Sequence, residues 1–268
     1  MEVNLDELRK GFDQNGYIID QEKITAVYLS LCLDKPLIVC GPQGTGKTTL
    51  AAVLSRILNA RLIRLQCHEG LDESKVLYDW NIQRQLIMIH LSSQGDFPER
   101  QLFSLENLLQ RPLLQAILSK EKVVLLIDEI DRAEPDFEAF LLELLSDFQI
   151  TLPEIGTIAA LNKPVVIITD NGDRELSEAL LRRCVFLYLG FPDIEQEAVI
   201  VRTNVSQILE DLSEEIAMAA VKTGNEHCLN SALDWAAVLF LLDEGRYQKE
   251  FWEKTMKLLD KKRNRGCG

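Results

Sequence analysis

Five short apolar runs punctuate the chain: Pro36–Cys40, Leu62–Cys67, Val123–Ile127, Val165–Thr169 and Val185–Leu189. Most lack alternation of polar and apolar positions. Continuous apolar runs of this length suit central strands of a parallel sheet covered on both faces. Between them lie stretches with helical spacing. The clearest covers Asp136 to Phe148, where Phe137, Phe140, Leu141, Leu144, Leu145 and Phe148 recur at i, i+3, i+4, i+7, i+8 and i+11. Strands alternating with helices predict an α/β fold, here an αβα sandwich around a five-stranded parallel sheet.

The pattern changes at Phe191, Pro192 and Asp193, after which no strand-like run appears. Asp193 with Gln196, and Ser231 with Asp234, have the spacing of capping boxes. Leu233, Ala236, Ala237, Phe240 and Leu241 share one helical face, which meets a stop at Gly245. Two domains are expected: an αβα domain over 1–191 and a small C-terminal helical domain over 192–268. The basic tail Lys261–Arg265 reads as solvated. An insertion is expected over about 73–103, where Val76–Trp80 and Leu86–Leu91 suit a helix or a hairpin. Residues Ile150–Gly156, within Gln149–Leu161, read as a hairpin.

Chemistry enters at the end of the first apolar run. Gly41, Pro42, Gln43, Gly44, Thr45, Gly46, Lys47 and Thr48 fit the phosphate-binding pattern G-x-x-x-x-G-K-T, with Thr49 behind it. A strand precedes the pattern and a helical stretch (Leu50, Val53, Leu54, Ile57, Leu58) follows it. Glycines let backbone N–H groups close around phosphate oxygens, and the helix N-terminus adds its positive end. Lys47 supplies a charge for the terminal phosphates, and the Thr48 hydroxyl is a ligand for Mg2+. The competing reading is a glycine-rich turn with no ligand.

The third apolar run ends in Asp128 and Glu129. A strand delivers Asp128 to the sheet edge where phosphates lie, suited to holding Mg2+ through water. Glu129 is placed to polarise an attacking water as general base. Adjacent carboxylates can also be a solvated strand end. The fourth run leads into Asn171. Alone, Asn171 with Gly172 reads as a turn; after the Asp128–Glu129 strand, a polar group beside the γ-phosphate is the preferred reading. Arg182 and Arg183 close the helix before the last run. An arginine there can reach a neighbouring subunit's γ-phosphate, or simply complement the helix dipole.

Composition narrows the partners. The chain has 268 residues, 29 basic and 42 acidic, for a net charge of −13. An acidic surface repels polyanions, so nucleic acid is an unfavoured partner. No apolar run reaches the length of a membrane span, and the acidic start does not resemble a secretory signal. The cysteines Cys32, Cys40, Cys67, Cys184, Cys228 and Cys267 are scattered without C-x-x-C spacing. They read as buried free thiols of a cytoplasmic protein. His68 and His90 read as surface or core residues rather than metal ligands.

This ordered set, with a helical bundle behind it, resembles the AAA+ ATPases and, within them, the MoxR family. Ile127–Ala133 is similar to that family's Walker B block, and Phe140–Leu145 to the helix after it. Arg111–Ile117 resembles the segment leading into that strand. Leu176–Cys184 is similar to box VII, where the second arginine is the finger, so the role falls on Arg183 with Arg182 beside it. Leu233, Asp234 and Trp235 point to the CoxD-like branch. The resemblance covers roughly residues 10–245. It implies ATP or ADP with Mg2+, a homo-oligomeric ring (hexameric), hydrolysis needing Arg183 from a neighbour, and work on a protein client, often in metalloenzyme maturation. It implies that Tyr17 and Ile18 pack the adenine, although as plain sequence they suit a core equally well. It also implies that the insertion at 73–103 faces the ring's central pore, although a plain surface elaboration suits the residues equally well. Two departures stand out: the length of that insertion, and the lack of a sensor-2 arginine on Ser231–Leu242, with Arg202 and Arg246 lying elsewhere. Other classes considered are a small-molecule kinase and a non-hydrolysing nucleotide-dependent scaffold. A GTPase is disfavoured because Asn162, Lys163, Pro164 and Val165 lack the Asp of a guanine-reading loop.

Overall fold

The computed structural model describes residues 4–71, 73–91 and 102–204. Most of the expected C-terminal helical domain, with its Ser231–Leu242 helix and basic tail, lies outside the described residues, as does part of the insertion. In chain order, α1 (Leu5–Gln14) and α2 (Gln21–Cys32) precede β1 (Leu37–Cys40), and α3 (Lys47–Ile57) leads to β2 (Arg61–Gln66). Next come α4 (Glu73–Leu77), β3 (Tyr78–Trp80), α5 (Ile82–Leu91), β4 (Leu108–Gln110), α6 (Pro112–Leu118) and β5 (Val123–Asp128). They are followed by α7 (Pro135–Asp147), β6 (Gln149–Leu152), β7 (Gly156–Ala159), β8 (Val165–Asp170), α8 (Glu178–Arg183), β9 (Val185–Tyr188) and α9 (Ile194–Asn204).

The main sheet has five strands in the order β2-β5-β8-β1-β9, every pairing parallel. Each follows one of the five apolar runs within a residue at either end. From β1 the chain goes to the far edge at β2, works back through β5 and β8, and ends on the other side of β1 at β9. The order therefore reverses at β1, and such a switch point opens a crevice at the carboxyl ends of the strands. Gly41 N, just past β1, donates to Asp170 O, at the end of β8, at 3.2 Å.

Burial corrects one expectation. β5 is buried along its whole length, and β1 and β8 nearly so. β2 and β9 are not covered on both faces: Leu62 is 36% exposed and Phe186 58%. They are the sheet edges, and along each of them buried and exposed positions alternate. The core packs Ile38, Leu125, Ile127 and Ile168 with Leu113, Leu114 and Ile117 of α6 and Leu141 and Leu144 of α7. Pro112 and Pro135 start their helices in the first turn, where a missing N–H costs nothing. α7 ends at Phe148, whose φ of 49° is the left-handed stop.

The insertion contains both elements that its pattern allowed. Leu86–Leu91 lies in α5, and Tyr78–Trp80 is a strand paired antiparallel with Leu108–Gln110. That return strand lies past the expected bound at 103, because three residues are too short to show a period. Trp80 sets its ring edge-on to Phe103 at 5.1 Å. The hairpin at Ile150–Gly156 is present as β6–β7. Among the described cysteines all are free; Cys67 is buried, Cys40 and Cys184 half-buried, but Cys32 is exposed. Cys32 is the last residue of α2, beside Leu33, which is itself exposed.

The chain forms two compact units. Among the described residues, one comprises 4–11, Asp20–Gly41 and those between Lys47 and Tyr188 and contains the sheet; the other takes Phe12–Ile19, Pro42–Gly46 and 189–204. In the second, Phe12 and Tyr17 pack with ring centroids 5.7 Å apart. Asp193 caps α9 as its spacing predicts, accepting from Gln196 N at 2.7 Å. Gly16 needs its lack of a side chain: its φ is 66°, and a Cβ would meet Thr203 Cγ2 at 2.9 Å.

Candidate nucleotide site

The loop between β1 and α3 turns on three glycines. Gly41, Gly44 and Gly46 have φ of 149°, 82° and 89°, values that L side chains rarely adopt. Tyr17 Oη donates to Gly46 O at 3.2 Å, and Thr45 Oγ1 donates to Pro42 O at 3.0 Å. Burial pushes the Tyr17 phenol up, so it stays a neutral donor. Ile18 is half-buried beside it in sequence, while Gln43, Thr48 and Thr49 are exposed.

Lys47 opens α3, is only 6% exposed, and its Nζ donates to Gly41 O at 2.5 Å. Burial pulls its pKa down, opposed by the carboxylates of Asp131, Asp170 and Asp128. Those carboxylates favour the charged ammonium in a place where water does little for it.

Asp128 ends β5 with its side chain 3% exposed. Its Oδ1 accepts from Thr48 Oγ1 at 3.0 Å and from Thr169 Oγ1 at 2.6 Å. Its Oδ2 accepts from Arg64 Nε at 3.0 Å and Nη2 at 2.5 Å. A nearly buried carboxylate is thus bonded on both oxygens.

Glu129 has φ 58° and ψ 55°, the left-handed region. That conformation costs a non-glycine residue roughly 1–2 kcal/mol. Its N–H donates to Thr169 Oγ1 at 2.8 Å, and its carbonyl accepts from Arg132 N at 3.0 Å, which hold the turn. Its Oε2 accepts from Gln66 Nε2 at 2.9 Å and pairs with Arg132 Nε at 3.1 Å. The carboxylate stays part-exposed, with a side-chain exposure of 27%.

Asn171 follows β8. The turn reading holds here: Gly172 has φ 83°, and Asp170 Oδ1 accepts from Gly172 N at 2.8 Å. The Asn171 Nδ2 is also buried without a hydrogen-bond partner, as is Asp131 Oδ1. Unpartnered buried amides are rare and costly.

Arg182 and Arg183 are both exposed on α8. Arg182 Nη2 pairs with Glu178 at 2.6 Å, and Arg183 Nη1 donates to Ala179 O at 3.3 Å. Their recorded bonds stay within the helix, unlike the group formed by Lys47, Thr48, Asp128 and Glu129. The turn before α8 is fixed by Arg174, which donates to Ala133 O at 2.8 Å and pairs with Glu138, itself 2% exposed. Glu138 Oε2 also accepts from Ser177 N at 2.9 Å.

Sequence reasoning missed Arg64, Gln66, Asp131, Thr169, Arg174 and Glu138. A signal for the first two existed. Arg64 and Gln66 alternate with buried Ile63, Leu65 and Cys67, the period of a strand with one polar face. Arg174 and Glu138 lie far apart in sequence, and only the fold reveals their pairing.

A parallel five-stranded sheet, a glycine loop entering α3 and an acidic strand end beside it define a P-loop nucleotide-binding fold. The AAA domain model of the dynein-related subfamily matches residues 36–184, more than half of the chain, and the chain belongs to that family. It is similar to an uncharacterized protein of Staphylococcus aureus, 29% identical over 173 residues, with 60% of this chain and 57% of that protein aligned. A Staphylococcus epidermidis protein, also uncharacterized, is 28% identical over 173 residues with the same coverage. The chain thus spans less than two thirds of these relatives. Among solved structures, a mutant of Thermotoga maritima RuvB aligns with TM-score 0.56 and 18% identity over 96% of this chain and 71% of that one. Thermotoga maritima RuvB named as a Holliday junction branch migration motor aligns with TM-score 0.52 and 18% identity, over 96% of this chain and 70% of that one. At such identities the likeness speaks to the AAA+ fold.

Proposed function

We propose that this AAA+ protein hydrolyses ATP with Mg2+ and works as a homo-oligomeric ring on a protein client. The carrying observation is the Thr48–Asp128 contact at 3.0 Å, which ties the start of the phosphate-loop helix to the acidic end of β5. A hydroxyl and a carboxylate so close are the hard oxygen donors that Mg2+ takes, so Thr48 and Asp128 fit the metal. Bound there, Mg2+ would neutralise phosphate charge.

In this reading the backbone N–H groups of Gln43, Gly44, Thr45, Gly46, Lys47, Thr48 and Thr49 and the Lys47 ammonium hold the phosphates, while Gly41 and Pro42, which offer no free N–H, shape the start of the loop. Glu129 takes the proton of the attacking water, and Asn171 spends its unpartnered Nδ2 on the γ-phosphate or that water. The exposure of Arg183 leaves it available to a neighbouring subunit, with Arg182 as its reserve. Tyr17, bonded to the loop at Gly46 O, and Ile18 pack the adenine. The lid is assigned to 192–268. The CoxD-like resemblance extends the proposal to a cytoplasmic remodeller in metalloenzyme maturation, and the charge of −13 favours a protein over a nucleic acid as client.

Light scattering with and without ATP and Mg2+, run beside an ATPase assay, tests this reading. Assembly on ATP is expected, with Lys47→Ala and Arg183→Ala each inactive alone and partly active when mixed. A monomer with full turnover, or one that consumes ATP only when a small acceptor is supplied, contradicts it.

A further inference from the structure

Arg64 lies on the edge strand β2, outside the phosphate loop and the acidic pair. Its guanidinium reaches Asp128 Oδ2 through both Nε and Nη2, and Nη2 also donates to Gln66 Oε1 at 2.5 Å. Gln66 in turn donates to Glu129 Oε2. The two oxygens of Asp128 favour different partners, although Thr48 Oγ1 also lies 3.3 Å from Oδ2. The shortest bonds to Oδ1 come from the hydroxyls of Thr48 and Thr169, and both bonds to Oδ2 shorter than 3.3 Å come from Arg64.

Burial differs across the pair. The Asp128 side chain is 3% exposed, whereas that of Arg64 is 53% exposed. The carboxylate is fixed inside, where a charged group is accommodated by pairing, and Arg64 is the cation paired with it. The arginine is attached from the solvent side by a long side chain, and can leave by rotating its own torsions without disturbing the sheet.

We propose that Arg64 is the internal counter-ion of Asp128 and competes with Mg2+ for that carboxylate, so that this side chain sets the metal affinity of the nucleotide site. The inference rests on the Mg2+–nucleotide reading above. Two cations cannot both be fully credited with one buried carboxylate; attraction gained by one is lost to the other. Because Arg64 also holds Gln66, its release from Asp128 loosens the contact that Gln66 makes with Glu129. Metal loading is thereby linked to the freedom of the candidate base. Lysine cannot replace Arg64 fully, since a single ammonium lacks the paired donors that bind Oδ2 and Gln66 together.

The test is a titration of the full chain with a fluorescent ADP analogue over a series of Mg2+ concentrations, including excess chelator. Melting curves in chelator verify that each variant is folded. Arg64→Gln is expected to lower the Mg2+ concentration at half-effect by about tenfold, as removal of a competing cation predicts, while its affinity for the analogue in chelator changes little. Arg64→Lys is expected to fall between Arg64→Gln and the natural protein, and serves as the readout if Arg64→Gln does not fold. An unchanged or raised Mg2+ midpoint in both variants overturns the proposal. So does a loss of analogue affinity in chelator, which would place Arg64 on the phosphates. If the natural protein binds the analogue under no condition, the nucleotide reading itself fails, a result distinct from either.

Discussion

Gln66 Nε2 donates to Glu129 Oε2 at 2.9 Å, joining the end of β2 to the candidate base across the end of the sheet. The Oε2 lone pair engaged by Gln66 is withheld from an attacking water, whose O–H needs that acceptor. Gln66→Ala should therefore raise basal ATP turnover. One such bond is worth about 1 kcal/mol, so the rise should be about fivefold. Steady-state phosphate release at saturating ATP measures it, and a fall in turnover would show that Gln66 positions the base productively.

Asn171 separates function from stability. Its Nδ2 is buried without a partner, a defect that costs roughly 1–3 kcal/mol. Asn171→Leu keeps the shape and removes the orphan donor. Its melting temperature should equal or exceed that of the natural protein, while turnover drops by about a hundredfold with ATP affinity nearly kept. Melting curves, equilibrium binding and kinetics on the same preparation check all three.

The five strands were legible because each central strand is an unbroken apolar run, and the chain must bury such runs on both sides. The edge strands were misread in the same terms, since β2 and β9 contain apolar residues such as Leu62 and Phe186 that solvent reaches. Gly41 to Thr48, Asp128 and Glu129 were legible because their chemistry is written locally. Arg64 was not, because its partner lies 64 positions away in the chain. The left-handed backbone of Glu129 was hidden for a related reason: the Thr169 hydroxyl that holds it comes from another strand.

Glu197 on α9 carries a pH dependence. It is 1% exposed, neither carboxylate oxygen has a partner, and burial raises its pKa from 4.5 to about 7. The folded protein keeps this proton where the unfolded chain releases it. The associated stability is full below about 4.5, and is lost as pH rises through 7. Glu197→Gln should be neutral near the acid end and stabilising at pH 8, on the order of 2 kcal/mol. Urea unfolding of both proteins at the two pH values reads the difference; an equal gain at both would assign the effect to packing.

Arg174 pairs with Glu138, which is 2% exposed, and also holds the carbonyl of Ala133. Arg174→Ala leaves a buried carboxylate without its cation and should cost about 3 kcal/mol of stability. Arg174→Ala combined with Glu138→Leu should recover much of that loss, because the stranded charge is gone. Denaturant midpoints of the single and double variants test this, and no recovery would mean that the carbonyl contacts dominate.

The central claim is that the protein hydrolyses ATP with Glu129 as the base. It is tested most directly by Glu129→Gln, assayed for ATP binding and for turnover on one preparation. The account predicts ATP affinity within about threefold of the natural protein and turnover reduced by at least about a hundredfold. Turnover equal to that of the natural protein would contradict it.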